Sequence, residues 1–196
     1  MPGGMHEVEV KYRVDSSRAL EAALAAHGVD LSDPVLQDDQ AYAPAHWDYG
    51  QSKIGVAFAR LRTQDGQHLF TLKTPVVNEQ SCREQETGVG DRAAMHQALL
   101  AMGYRPTIRI SKRRRTGWVD ALGGVSICLD EVEHAGTFVE LEAVTSARSA
   151  VGQDDLDRLA RSWGVPLERT RDTYDSLVRA ALAVGGLDVG DAAAQP

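Results

Sequence analysis

Cysteine is scarce in this chain. Cys82 and Cys128 are its two thiols, far apart and without the paired spacing of a zinc site or a redox CxxC, so neither a structural metal nor a disulfide framework is indicated. That usage fits a reducing cytoplasm. Long apolar runs are missing as well: no stretch approaches the roughly 18 residues of a spanning helix. The opening, Met1 to Val10, is too short and too acidic for a signal peptide. A soluble, cytoplasmic protein without a membrane partner is expected. An excess of positive charge is also absent, since 21 Lys and Arg against 28 Asp and Glu leave a formal charge of −7, which argues against a protein that coats nucleic acid. The Rossmann GxGxxG, the Walker A loop and the GxSxG elbow do not occur, which sets three large enzyme classes aside.

What is present is enough for a globular core: 196 residues, 43% apolar and 25% charged, read as one domain over 1–184 with a Gly/Ala/Asp-rich, disordered tail over 185–196. From Glu7 to Val14 the chain alternates strictly, with Glu7, Glu9, Lys11 and Arg13 on one face and Val8, Val10, Tyr12 and Val14 on the other. A helix follows from about Ser17 to His27, closed by Gly28. A strand over Val35 to Tyr42, a hairpin of Val56–Thr63 and His68–Lys73 about the Asp65–Gly66 turn, and a strand over Ser81–Val89 come next. Asp91 caps a second helix bearing Met95, Leu99 and Met102. Strands near Thr107–Val119, Val125–Val132 and Thr137–Val144 precede two helices, one around Leu156 to Trp163 and one around Tyr174 to Ala181. About eight strands and four helices, mostly joined as antiparallel neighbours, give an α+β fold.

Several strands place more than one charge on one face: Glu7 with Glu9, Lys11 and Arg13, Arg60 with Arg62, and Glu140 with Glu142. An antiparallel sheet with one wet face would read similarly. A sheet curled into a barrel with that face inward would instead gather the charges in a polar tunnel. Carboxylates at i, i+2 stand about 6.5–7 Å apart along a strand, so facing pairs can hold hard divalent cations such as Mg²⁺ or Mn²⁺ through oxygen. Arg and Lys beside them can neutralise triphosphate oxygens. The chemistry this suits is phosphoryl or nucleotidyl transfer without a protein nucleophile.

The motifs also carry a family resemblance. The run from His6 to Val14 resembles the ExExK signature of the CYTH, or triphosphate tunnel, superfamily, and the likeness continues in order along the chain. Arg60-Leu-Arg62, Leu72-Lys73-Thr-Pro75, Arg83, Leu129-Asp130-Glu-Val132 and Phe138-Val-Glu-Leu-Glu142 match the later motifs, and Thr173-Tyr-Asp-Ser-Leu-Val178 resembles the ending of the class IV adenylyl cyclase branch. The resemblance implies an eight-stranded antiparallel closed β-tunnel with flanking helices. It implies metal at Glu7, Glu9, Asp130, Glu140 and Glu142. The triphosphate would lie on Lys11, Arg13, Arg60, Arg62, Lys73, Arg83, Arg113 and Arg115. Glu7, Glu9, Lys11 and Glu140 form the implied catalytic group.

Two stretches depart from the pattern. Asp38-Asp-Gln-Ala-Tyr matches only in part, with Gln40 standing where an aspartate is expected. The run Lys112 to Arg115 allows two registers. If Ile108 and Ile110 pack on outer helices, Arg113 and Arg115 face inward, in agreement with the spacing to Trp118. A bulge between Ile110 and Arg113 would turn Lys112 and Arg114 inward instead. Glu84 and Glu86, out of phase with Arg83, read as surface or salt-bridge residues. The expected function is a metal-dependent conversion of ATP to cyclic AMP and pyrophosphate. A triphosphatase acting on inorganic triphosphate, thiamine triphosphate or a nucleotide is the alternative, and a non-catalytic polyphosphate-binding module is a third reading. A homodimer is left open.

Overall fold

The computed structural model describes residues 5–145 and 151–185. The predicted disordered tail falls, apart from Gly185, outside the described residues. The elements run β1 (Met5–Arg13), α1 (Ser17–Ala26), β2 (Val35–Pro44), β3 (Phe58–Gln64), β4 (Gln67–Pro75), β5 (Ser81–Val89), α2 (Arg92–Ala101), β6 (Tyr104–Val119), β7 (Val125–Val132), β8 (Gly136–Thr145), α3 (Gln153–Ser162), β9 (Glu168–Thr170) and α4 (Tyr174–Val184). All strand pairs are antiparallel in the order β5-β4-β3-β2-β6-β7-β8-β1, and β1 pairs again with β5, which closes an eight-stranded barrel. Along the edge of β1 away from β8, β5 covers residues 5–8 and β9 covers 11–13. β9 has only three residues, too few for any alternation to announce it.

Local chemistry explains the element ends. Ser16 and Asp91 accept from the Ala19 and Ala94 amides at the starts of α1 and α2. Asp65 and Gly66, both at positive φ, make the tight turn between β3 and β4. Because strand side chains alternate, closure sends one set outward under helices. Val8, Val10 and Tyr12 pack with Leu20 and Leu24 of α1 and Leu156 and Ala160 of α3. Tyr42, Ala59 and Leu61 pack with Leu99 of α2. None of the described helices is long and apolar enough to cross a membrane.

The fourth helix behaves differently. Val178 and Leu182 of α4 pack on Ile108, Ile110, Val132 and Phe138. Those residues share the phase of Lys112, Asp130 and Glu140, the charged face of their strands. So α4 covers an end of the barrel's inner wall and not its outside, which decides the register of β6.

Gly117 lies where the segment from Val29 to Ser32 crosses β6. An added Cβ would stand 2.7 Å from Val29 Cγ1 and 3.1 Å from the Asp30 carbonyl oxygen. Ser32 fixes the crossing through its amide to Thr116 O at 2.9 Å and its Oγ from the Thr116 amide at 3.0 Å. Gly117→Ala is expected to cost about 1–3 kcal/mol, the range for overpacking, read as a lowered urea midpoint. An unchanged midpoint would mean the crossing is not held this tightly.

Candidate active site

Inside the barrel lies a cavity of about 1100 Å³, its open mouths included. Its charged wall carries Glu7, Glu9 and Lys11 from β1, Asp39 from β2, Arg60 from β3, Lys73 from β4, Glu84 from β5, Lys112 and Arg114 from β6, and Glu140 and Glu142 from β8. Trp47, Tyr49, Phe58 and Tyr174 line it elsewhere.

The inward carboxylates fall into two groups. Asp130, fully buried, accepts from Arg114 Nε at 2.7 Å, Lys112 Nζ at 3.1 Å and the Tyr174 hydroxyl at 2.8 Å. Glu140 is held by Lys11 Nζ at 3.2 Å and by Arg114. Asp39 takes a two-pronged bond from Arg62, 2.7 Å on each side. Burial opposes ionisation of all three, yet their cations win: Lys112 and Arg114 lower Asp130, Lys11 and Arg114 lower Glu140, and Arg62 and Arg60 lower Asp39.

Glu7, Glu9 and Glu142 make the second group. Each offers an oxygen, and the three oxygens lie within 4.8 Å of one another. Burial pushes Glu9 up to about 7, with Glu140 adding to it. Burial raises Glu7, with Glu84 contributing, and burial raises Glu142, with Glu7 and Glu140 contributing. Lys73 at 3.9 Å from Glu7, Lys11 at 4.0 Å from Glu9 and Arg114 at 3.5 Å from Glu142 offset this only in part. Three converging carboxylates short of positive charge are an all-oxygen donor set that fits a hard divalent cation.

Of the predicted phosphate ligands, Lys11, Arg60 and Lys73 line the cavity. Arg60 bonds Thr71 Oγ1 at 3.0 Å, and its buried Nε has no hydrogen-bond partner. Arg62 faces inward but is spent on Asp39. Arg13 shares the face of Lys11, yet lies over the Phe138 ring at 4.8 Å and donates to Ala135 O, away from the cavity. Arg83 is exposed and points outward, the reverse of its expected placement, because Lys73 and Glu84 are opposite partners and Arg83 is one residue out of phase. Glu84 is therefore a wall residue paired with Lys73.

The register expectation for Arg113 and Arg115 is corrected too. Arg113 is exposed, and Arg115 bonds Ser32 O and Glu21 on the outside. Lys112 and Arg114 face inward with Ile108 and Ile110, since the helix that covers those isoleucines is α4, inside the mouth. A bulge exists, but it lies between Pro106 and Arg109 and does not invert the basic run. At the departing Asp38-Asp-Gln stretch, Asp39 is the inward residue, while Asp38 pairs with Arg109 outside and Gln40 donates to Ile108 O.

From the sequence, Lys112 and Arg114 enter the site only as the alternative register and Glu84 only as a surface or salt-bridge residue, while Asp39, Tyr174 and Lys53 carry no assigned role. The hairpin register from Lys73 would have found Glu84. Lys53 sits in an irregular stretch and shows no period. It is bound by Thr173 at 2.7 Å and Glu79 at 2.9 Å. Tyr174 lies beneath the ammonium groups of Lys11 and Lys112, 4.0 and 4.7 Å from its centroid.

The chain is similar to known proteins. Adenylate cyclase CyaB of Aeromonas hydrophila is 33% identical over 144 residues, 72% of this chain and 71% of that one. The structure of a proposed adenylate cyclase from Vibrio parahaemolyticus superposes with a TM-score of 0.72 at 22% identity, covering 90% of this chain and 99% of that one. A Hippeastrum protein described as a proposed adenylyl cyclase with a dominant triphosphatase activity gives a TM-score of 0.57 at 18% identity, covering 90% and 95%. The CYTH domain pattern matches residues 5–170. This chain belongs to the CYTH family.

Proposed function

We propose that the tunnel is the active site of a divalent-metal-dependent enzyme that converts ATP to cyclic AMP and pyrophosphate. The observation that carries this reading is the division of charge in one cavity. Glu7, Glu9 and Glu142 are short of cations, while Arg60, Lys73, Lys112 and Arg114 stand on the facing walls. A polyanion with its counter-cation satisfies both sets, and neither alone does. The 33% identity to an adenylate cyclase favours cyclisation.

Mg²⁺ or Mn²⁺ fits Glu7, Glu9 and Glu142, and supplies Lewis acidity at phosphoryl oxygens when bound. The chain's own groups do the rest. Arg60, through its unpartnered Nε, and Lys73 bind phosphate oxygens from one side, and Lys112 and Arg114, already held by Asp130, add positive charge from the other. Asp130 and Glu140 are not needed as metal ligands in this scheme. They position the cations, with Lys11 held by Glu140 and Tyr174. In the reaction a bond forms from the ribose 3′-oxygen to the α-phosphorus, the bond from that phosphorus to the bridging oxygen of the β-phosphate breaks, and the hydroxyl proton passes to solvent. Hydrolysis is the second reading, because these side chains address phosphate groups that inorganic triphosphate, thiamine triphosphate and nucleotides share.

With ATP labelled at the α-phosphate, cyclic AMP and pyrophosphate are the expected products, and excess EDTA stops the reaction. Formation of ADP and phosphate alone would replace cyclisation by hydrolysis. Glu7→Gln and Glu9→Gln are each expected to lower turnover by about 100-fold or more with unchanged circular dichroism. Normal rates would remove these residues from the site.

The register of β6 gives a separate test by calorimetry with tripolyphosphate. Arg60→Ala or Lys73→Ala should weaken binding about tenfold or more, the loss of a charge-assisted contact. Arg113→Ala/Arg115→Ala should stay within about twofold, as for surface charges. Marked weakening by the latter pair would contradict the outward placement.

A further inference from the structure

Trp118 is 58% exposed, whereas Trp47 and Trp163 are 3% and 5% exposed. Exposure alone would say little, but this indole is fixed in place. Its Nε1 donates to Asp120 Oδ1 at 3.0 Å. The ring lies so close to Gly124 that an added Cβ there would stand 2.3 Å from Trp118 Cζ2. Leu122, Gly123 and Gly124 all have positive φ, so the turn after β6 adopts a conformation unusual for side-chain-bearing residues and seats the ring against bare backbone. One edge is pinned, one side is packed, and the rest is open to solvent.

Its place on the barrel is what gives this geometry a use. Trp118 has the phase of Lys112 and Arg114, the inner face of β6. The pairing register carries that face across the sheet from Trp118 to Ser126, from Ser126 to Glu142, and from Glu142 to Glu9. At about 4.8 Å per strand, Trp118 stands roughly 10 Å from Glu142 along this row. An aromatic surface with its orientation already set thus lies two strands from the carboxylate cluster, at a distance that a ribose and part of a phosphate chain can bridge. Little side-chain freedom remains to be lost when a flat group settles on it.

We infer that Trp118 is the stacking platform for the base of a nucleoside triphosphate whose phosphates occupy the tunnel, so that this chain favours nucleotides over inorganic triphosphate. The inference rests on the triphosphate reading of the tunnel and adds the residue that seats the base. Stacking uses the π-face that every base possesses, so the platform selects for an aromatic group and not for adenine in particular.

The test compares α,β-methylene-ATP, which cannot release pyrophosphate, with tripolyphosphate, both with Mg²⁺, by calorimetry on the full chain. Trp118→Ala is expected to weaken the nucleotide analogue about tenfold, within the range for base–aromatic stacking, and to leave tripolyphosphate unchanged. Trp118→Phe should restore most of the affinity, which separates lost stacking from a disturbed turn. In the wild type, acrylamide quenching of tryptophan fluorescence should fall on adding the nucleotide analogue and not on adding tripolyphosphate. Equal weakening of both ligands, or no weakening of the nucleotide, would overturn the inference, and in the second case the indole would be assigned to a protein contact. If the wild type binds neither ligand, the triphosphate reading itself fails.

Discussion

A closed barrel this narrow forces charges on facing strands into one another's company, and the contacts around Asp130 show how that is resolved. Its carboxylate is fully buried and takes bonds from Lys112 and Arg114 of the neighbouring strand and from Tyr174 of the last helix. Removing one partner from such a buried set typically costs about 3–5 kcal/mol, because the others are left without compensation. Arg114 also reaches Glu140 and Glu142, so the same guanidinium connects the compensated carboxylates to the uncompensated ones. The ion-pair network is both the inner support of the barrel and the frame of the site.

The last helix ties the fold to that frame. Leu182 and Val178 bury an apolar patch at one end of the inner wall, and one turn earlier Tyr174 sits under Lys11 and Lys112 with its hydroxyl on Asp130. Burial, with Glu140 and Asp130 adding to it, holds that phenol well above its ordinary range, so it stays a donor to Asp130. Burial and Arg114 together lower Lys112, which makes the Asp130 contact important for keeping that lysine charged. Packing of α4 and the charge state of the inner wall are thus set by the same residues.

Much of the fold was legible because alternation is a strong signal in strands with one charged face. Glu7 to Arg13, Arg60 with Arg62, and Glu140 with Glu142 show it plainly, and β5 and β7 have the bounds that the sequence suggests. The errors have one physical origin. Period-two patterns give the phase within a strand but not which face is inside. In β6 the apolar phase is inward, because a helix remote in sequence fills the mouth there, so Arg113 and Arg115 lie outside, opposite to the expectation from Ile108 and Ile110. In β5, Arg83 stood alone as a cation, and only the pairing of Lys73 with Glu84 fixes the phase. The expected metal set of five carboxylates divides in the structure for a related reason. Asp130 and Glu140 look like Glu142 in sequence, and only their lysine and arginine partners distinguish them.

That division of the carboxylates is the central claim, and Mn²⁺ binding followed by its electron paramagnetic resonance signal tests it directly. Glu142→Gln should weaken Mn²⁺ strongly, since it removes an oxygen ligand from the open cluster, whereas Glu140→Gln should weaken it clearly less, since its carboxylate is held by Lys11 and Arg114. Equal losses in the two variants, or a loss confined to Glu140→Gln, would contradict the account.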